Sequence, residues 1–128
     1  MTIEEAKNIL SFHSQRNPDI KHSKWENGFL GCINRAVISL NEENFHEVVT
    51  CIRVLMSTFE QEKIDSTTIA DCWTIVYFTE TSIRNKNLDD TTKKILEEWI
   101  EHISYIIFCL LDGCGAETAF EMYDMEFE

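Results

Sequence analysis

Breakers are scarce in this chain: four glycines and a single proline among 128 residues. So few turn formers exclude collagen-like and Pro-rich linker classes and favour long regular elements. Positive charge is equally scarce, with 11 Lys and Arg against 23 Asp and Glu, a net charge of −12 and a pI near 4.6. A surface of that sign repels phosphate backbones and anionic lipid, so direct nucleic-acid or membrane binding is disfavoured and a basic partner favoured. The competing explanation is acidity for solubility alone. No apolar run reaches the roughly 18 residues a membrane span needs, and no basic, apolar leader opens the chain. The expectation is a soluble, unexported, cytoplasmic protein. The nearest approach to a span, Ile103 to Leu111, is too short and follows Glu97, Glu98 and Glu101, so it reads as a buried core helix.

Recognisable catalytic and cofactor motifs are also missing. Gly28-Phe29-Leu30-Gly31 lacks the lysine and the strand-to-helix context of a phosphate-binding loop. Cys51 and His46 lie on different faces of one helix, which excludes them as a nucleophile and base. Glu97 and Glu101 have no histidine at ligand spacing apart from the adjacent His102, so a di-iron carboxylate pattern fails. Cys109 and Cys114 have no second Cys/His pair to complete a zinc site. Five cysteines are an odd number, four of them in apolar helical stretches where a small hydrophobe fits, which suits a reducing compartment without disulfides. No catalytic residue, metal site or cofactor is expected.

What is present is helical periodicity. With 44% hydrophobic residues in 15.0 kDa the chain can bury one core, and a single domain over 1–128 is expected. Thr2-x-x-Glu5 is a capping box before Ala6, Ile9 and Leu10, and Asn17-Pro18-Asp19 is a turn. Ser23-x-x-Glu26 opens a second helix over roughly 24–39, burying Trp25, Phe29, Cys32, Ile33, Ala36, Val37 and Leu40, with Gly28 and Gly31 marking close helix packing. Asn41 caps a third, with apolar residues from Phe45 through Val48, Val49, Ile52 and Leu55 to Phe59. Asp65 or Ser66 opens a fourth, with Ile69, Cys72, Trp73, Val76 and Tyr77 as one buried stripe and an end near Ile83. Asp89 or Asp90 opens a fifth that runs to Leu111 and stops at Gly113. A short sixth helix over 116–123 can follow, then an acidic tail from about 124. The fold class is therefore all-α: a single-domain bundle of five to six antiparallel amphipathic helices.

The acids crowd one end. After Lys94 there is no Lys or Arg, while Glu97, Glu98, Glu101, Asp112, Glu117, Glu121, Asp124, Glu126 and Glu128 all follow. Aromatics between them give contact area, and the carboxylates would steer a basic partner. The expected partner-binding residues are Glu97, Glu98, Glu101, Asp112, Glu117, Phe120, Glu121, Tyr123 and Asp124. The alternative is a last helix that simply buries Phe120 and Tyr123, followed by a frayed end.

Trp25-Glu26-Asn27-Gly28-Phe29-Leu30-Gly31, Leu40-Asn41-Glu42-Glu43-Asn44-Phe45-His46-Glu47-Val48, Leu96-Glu97-Glu98-Trp99-Ile100 and Leu111-Asp112-Gly113-Cys114 together give the chain a family character. In spacing and type, over most of its length, it resembles the small acidic bacterial immunity proteins of contact-dependent growth inhibition and polymorphic toxin systems. The resemblance implies a cytoplasmic antitoxin without enzymatic activity. It would neutralise a cognate delivered toxin domain, a basic ribonuclease with tRNA as one expected target, by occluding its active site in a 1:1 complex. The matching stretches carry no inhibitory motif, and a buried tryptophan and a glycine contact in the core explain Trp25 to Gly28 equally well. Two other classes remain open: an acidic nucleic-acid mimic or adaptor that binds basic host proteins, and a helical scaffold or viral helical-bundle inhibitor, whose mark would be an exposed apolar groove.

Overall fold

In the computed structural model, which describes residues 1–127, every regular element is helical and there is no strand among the described residues. The helices are α1 (Ile3–His13), α2 (Ser23–Asn27), α3 (Phe29–Ile33), α4 (Glu42–Leu55), α5 (Ser66–Asn85), α6 (Asp90–Asp112) and α7 (Ala116–Phe127), with a 3₁₀ turn, Met56–Glu60, continuing α4. Local signals set most boundaries. Thr2, Asn41, Asp65 and Asp89 each accept a hydrogen bond from a backbone N–H of the helix they precede, at 2.7–3.1 Å. Gly113 ends α6 in the left-handed region at φ +82°, with its N–H donated to the Cys109 carbonyl.

Seven helices replace the five or six expected, because the second is broken. It ends at Ile33 rather than near 39, and its N-cap is His22, whose Nδ1 accepts the Lys24 N–H, rather than Ser23. At Gly28 the backbone turns extended, and the Phe29 N–H is accepted by His13 Nδ1 at 2.9 Å. His13 is fully buried, and its Nε2 donates to Glu47 Oε1 at 2.7 Å, which fixes the ring tautomer. Gly28 and Gly31 do mark a close approach, but within this break rather than between two long helices: α3 folds directly against the backbone of α2. Beyond Ile33 the chain is irregular, and Val37, expected in the core, is 82% exposed.

One hydrophobic cluster draws on α1, α3, α4, α5, α6 and α7, with Leu10, Phe29, Phe45, Ile52, Ile75, Leu96, Ile103 and Phe120 among its members. The cysteines fall as their surroundings suggested: Cys32, Cys51, Cys72 and Cys109 are buried free thiols and Cys114 is exposed. Burial pushes the Cys51 thiol up to about 12, so it is not a poised nucleophile.

Helix α5 is oriented differently from expectation. Its inward face carries Thr68, Asp71, Cys72, Ile75, Val76, Thr79 and Ser82, whereas Trp73 and Tyr77, expected in the buried stripe, point outward. Polar partners on the α1 side hold it this way. Asp71 Oδ1 accepts Ser14 Oγ at 2.9 Å and Arg16 Nη1 at 3.2 Å. Burial nevertheless keeps the Asp71 carboxyl above its ordinary range. Thr79 Oγ1, by contrast, is buried with no hydrogen-bond partner among the described residues. Thr79→Val replaces that hydroxyl with a methyl of similar size, so it should stabilise the fold by about 1 kcal/mol in denaturant melts. A lower unfolding midpoint would show that the hydroxyl is satisfied.

Candidate protein-docking surface

Because α5 turns its hydroxyls inward, its aromatic side faces solvent beside α6. The two helices pack together, with Ile69 and Leu111 lining one recess and Ile83 and Ile100 another. Between them lies an apolar groove whose deeper part, about 210 Å³, is lined by Ile69, Trp73, Val76, Ile107, Phe108 and Leu111. Val76 and Ile107 form a buried floor, and the walls are open: Trp73 is 62%, Phe108 60% and Leu111 48% exposed. Tyr77, one turn on from Trp73, is 52% exposed. Exposed large side chains grouped in one groove, unlike single scattered ones, mark a binding surface. Ile103 to Leu111 is therefore only partly the core helix its composition suggested.

A separate recess on the same two helices is lined by Glu80, Ile83, Arg84, Glu97 and Ile100. Of the expected partner-binding acids, Glu97 thus lines this second recess. Glu101, Asp112, Glu117 and Glu121 are also exposed, the second of these following Leu111 at the end of α6. Asp112 accepts the Cys114 S–H, and this contact is the main reason the thiol is pushed up to about 11.

The other expected residues pack inward and attach α7. Phe120 is buried, with the Arg53 guanidinium 4.4 Å from its ring centroid. Asp124 takes both arms of Arg53, at 2.5 and 3.2 Å. Tyr123 is half-buried, hydrogen-bonded to His46, and its ring centroid lies 5.7 Å from that of Phe45. Phe127 packs on Phe45, His46 and His102. These contacts carry α7 through to Phe127, so the expected acidic tail is helical from 124 to 127, and Glu128 lies outside the described residues.

One group among the described residues could hold a metal ion. Glu98 and His102, one turn apart on α6, meet Glu126 of α7 with donor atoms all within 4.8 Å of one another. His102 is buried and bonds Glu126 at 2.6 Å. The hydrogen bond with Glu126 raises the Glu98 carboxyl, and that same contact, then His102, lowers Glu126. The ligand spacing to His102 belongs to Glu98, four residues before it, and not to Glu97 or Glu101. The third donor is invisible until α7 is placed.

No family model matches the chain, and neither a curated protein nor a solved structure does. No helix among the described residues is long and apolar enough to cross a membrane.

Proposed function

We propose that this chain is an immunity protein, its helices packed as an antiparallel bundle, that binds and neutralises a cognate delivered toxin domain in the cytoplasm. The observation that carries the reading is the exposed acidic surface of a chain of net charge −12, with Glu97, Glu101, Asp112, Glu117 and Glu121 all open to solvent on α6 and α7, beside the apolar groove between α5 and α6. Exposed apolar side chains supply affinity once desolvated, and carboxylates around them select and steer a positively charged partner. A nuclease must be basic where it grips phosphate, so an acidic cover competes for the same cations and blocks the cleft physically. A ribonuclease, with tRNA as one target, is the specific expectation, bound 1:1. The inhibitor needs no chemistry or cofactor of its own.

The same groove favours one other reading, a helical adaptor or signalling inhibitor with an unrelated partner. Co-expression with the toxin domain encoded directly upstream separates the two. Restored growth, intact RNA and co-purification are the expected results. Growth restored while RNA is intact with or without the protein would retain immunity and discard the ribonuclease. Absence of both rescue and complex would leave the adaptor.

A further inference from the structure

We infer that the α5–α6 groove receives an amphipathic helix of the partner, apolar face down and basic residues along its edges. The identity of that partner rests on the immunity reading, but the mode of docking does not. From Ile69 to Val76 the groove follows α5 for about 10 Å, the length of two helical turns, alongside Ser104 to Leu111 of α6. Its floor is narrow and its walls are side-chain ridges of two neighbouring helices. A third helix lays anchors at every third or fourth residue into such a surface. An extended segment would need a strand edge to pair with, and no strand exists among the described residues.

Charge selects the occupant. Glu80 and Glu97 line the neighbouring recess on the same two helices and Asp112 follows Leu111, while Arg84 is the single cation among the residues that line groove and recess. Lysines or arginines flanking the incoming apolar face would meet these carboxylates. A second copy of this chain is disfavoured by the same charges, because two surfaces of one sign would be pressed together. The chain's own α7 is already committed to the opposite flank of α6, where Glu126 meets Glu98 and His102. Trp73 and Phe108, both lining the groove and both largely exposed, are the aromatic anchors.

The test uses the full chain and two fluorescent 18-residue helical peptides with the same leucine face, one flanked by lysines and the other by glutamates. The lysine peptide should bind and the glutamate peptide should not. Trp73→Ala and Phe108→Ala, both at exposed positions that keep the net charge, should each weaken binding about tenfold or more. Met122→Ala, an exposed apolar change on α7, should leave it unchanged. Glu80→Gln with Glu97→Gln should weaken binding and flatten its salt dependence. Unfolding midpoints of the variants show whether each remains folded. Equal binding of both peptides, or lysine-peptide binding indifferent to Trp73 and Phe108 in folded variants, would overturn the inference. So would a dimer, seen by sedimentation, that Trp73→Ala dissociates. Peptide binding in the groove without rescue of any toxin would uphold the docking mode and remove the immunity reading. Toxin rescue that persists in both groove variants, with no peptide bound, would do the reverse.

Discussion

Gly31→Ala is expected to cost about 3 kcal/mol of stability, at the top of the range for overpacking a close contact. A Cβ at position 31 would stand 2.2 Å from the Glu26 carbonyl oxygen, 2.5 Å from its carbon and 2.6 Å from the Trp25 carbonyl oxygen. All three are backbone atoms, so no side chain can rotate aside. Relief requires α3 to lift from α2, which withdraws Phe29, Leu30 and Ile33 from the core and lengthens the His13–Phe29 hydrogen bond. Against a total of about 5–15 kcal/mol for a domain, that loss should move the urea midpoint far to the left. Gly113→Ala is the control. It has nothing within 4 Å and only the left-handed φ to resist substitution, so about 1 kcal/mol is expected. Equal costs at the two positions would mean that α3 does not rest on α2 as described.

The same contact shows where sequence reasoning stops. Caps at Thr2, Asn41, Asp65 and Asp89 and the stop at Gly113 were legible because each depends on residues within one helical turn. The break at Gly28 was not. Its N–H partner is His13, sixteen positions upstream, and capping and periodicity carry no trace of a histidine arriving from α1. Gly28 and Gly31 suggested close packing between helices, whereas the approach they allow is that of α3 onto α2 where one helix ends. Likewise α7 reaches Phe127 because Arg53, His46 and His102 of other helices receive it, and no local signal announces them.

At the candidate site the charges were more legible than the apolar contacts. Glu97 and Asp112 are exposed as their place in an acidic stretch implied, whereas Trp73 and Tyr77 were given to the core on hydrophobicity alone. Helix α5 has two competing stripes: Ile69, Trp73 and Tyr77 on one side, Thr68, Cys72, Ile75 and Thr79 on the other, with Val76 buried between them. The first is the more hydrophobic. The second wins the interior because Asp71, on the same side, finds Ser14 and Arg16 there. A helix with apolar residues on more than one face was the available clue, since the surplus face requires a partner of its own.

Glu47→Gln should lower stability by about 2 kcal/mol at pH 7, and the loss should vanish as the pH falls to 2. Glu47 lies where α1, α2 and α4 meet, 2.7 Å from His13 Nε2 and 2.5 Å from Lys24 Nζ. The hydrogen bond from His13, helped by that from Lys24 and opposed by burial, holds its carboxyl at about 2 instead of 4.5. At about 1.36 kcal/mol per pH unit this would reach about 3 kcal/mol, and solvent screening of a side chain one-third exposed reduces it to about 2. The sign follows from proton binding. The unfolded chain binds the proton at higher pH, so the stabilisation is complete above 4.5 and is lost as the pH drops through 2. Glutamine has the shape of the protonated acid, so denaturant midpoints of the two proteins should converge over that interval. The effect should concentrate in the first turn of α2, which buries no side chain of its own and is held there by Lys24–Glu47 and by Gln15 on the Trp25 carbonyl, while Arg35 and Asn44 hold its end at Glu26 and Asn27. Amide exchange over 23–27 should therefore quicken in the variant at neutral pH and match the wild type near pH 2. Curves that stayed parallel down to pH 2 would mean that the Glu47 charge contributes nothing to folding and that the Phe29 N–H alone positions His13.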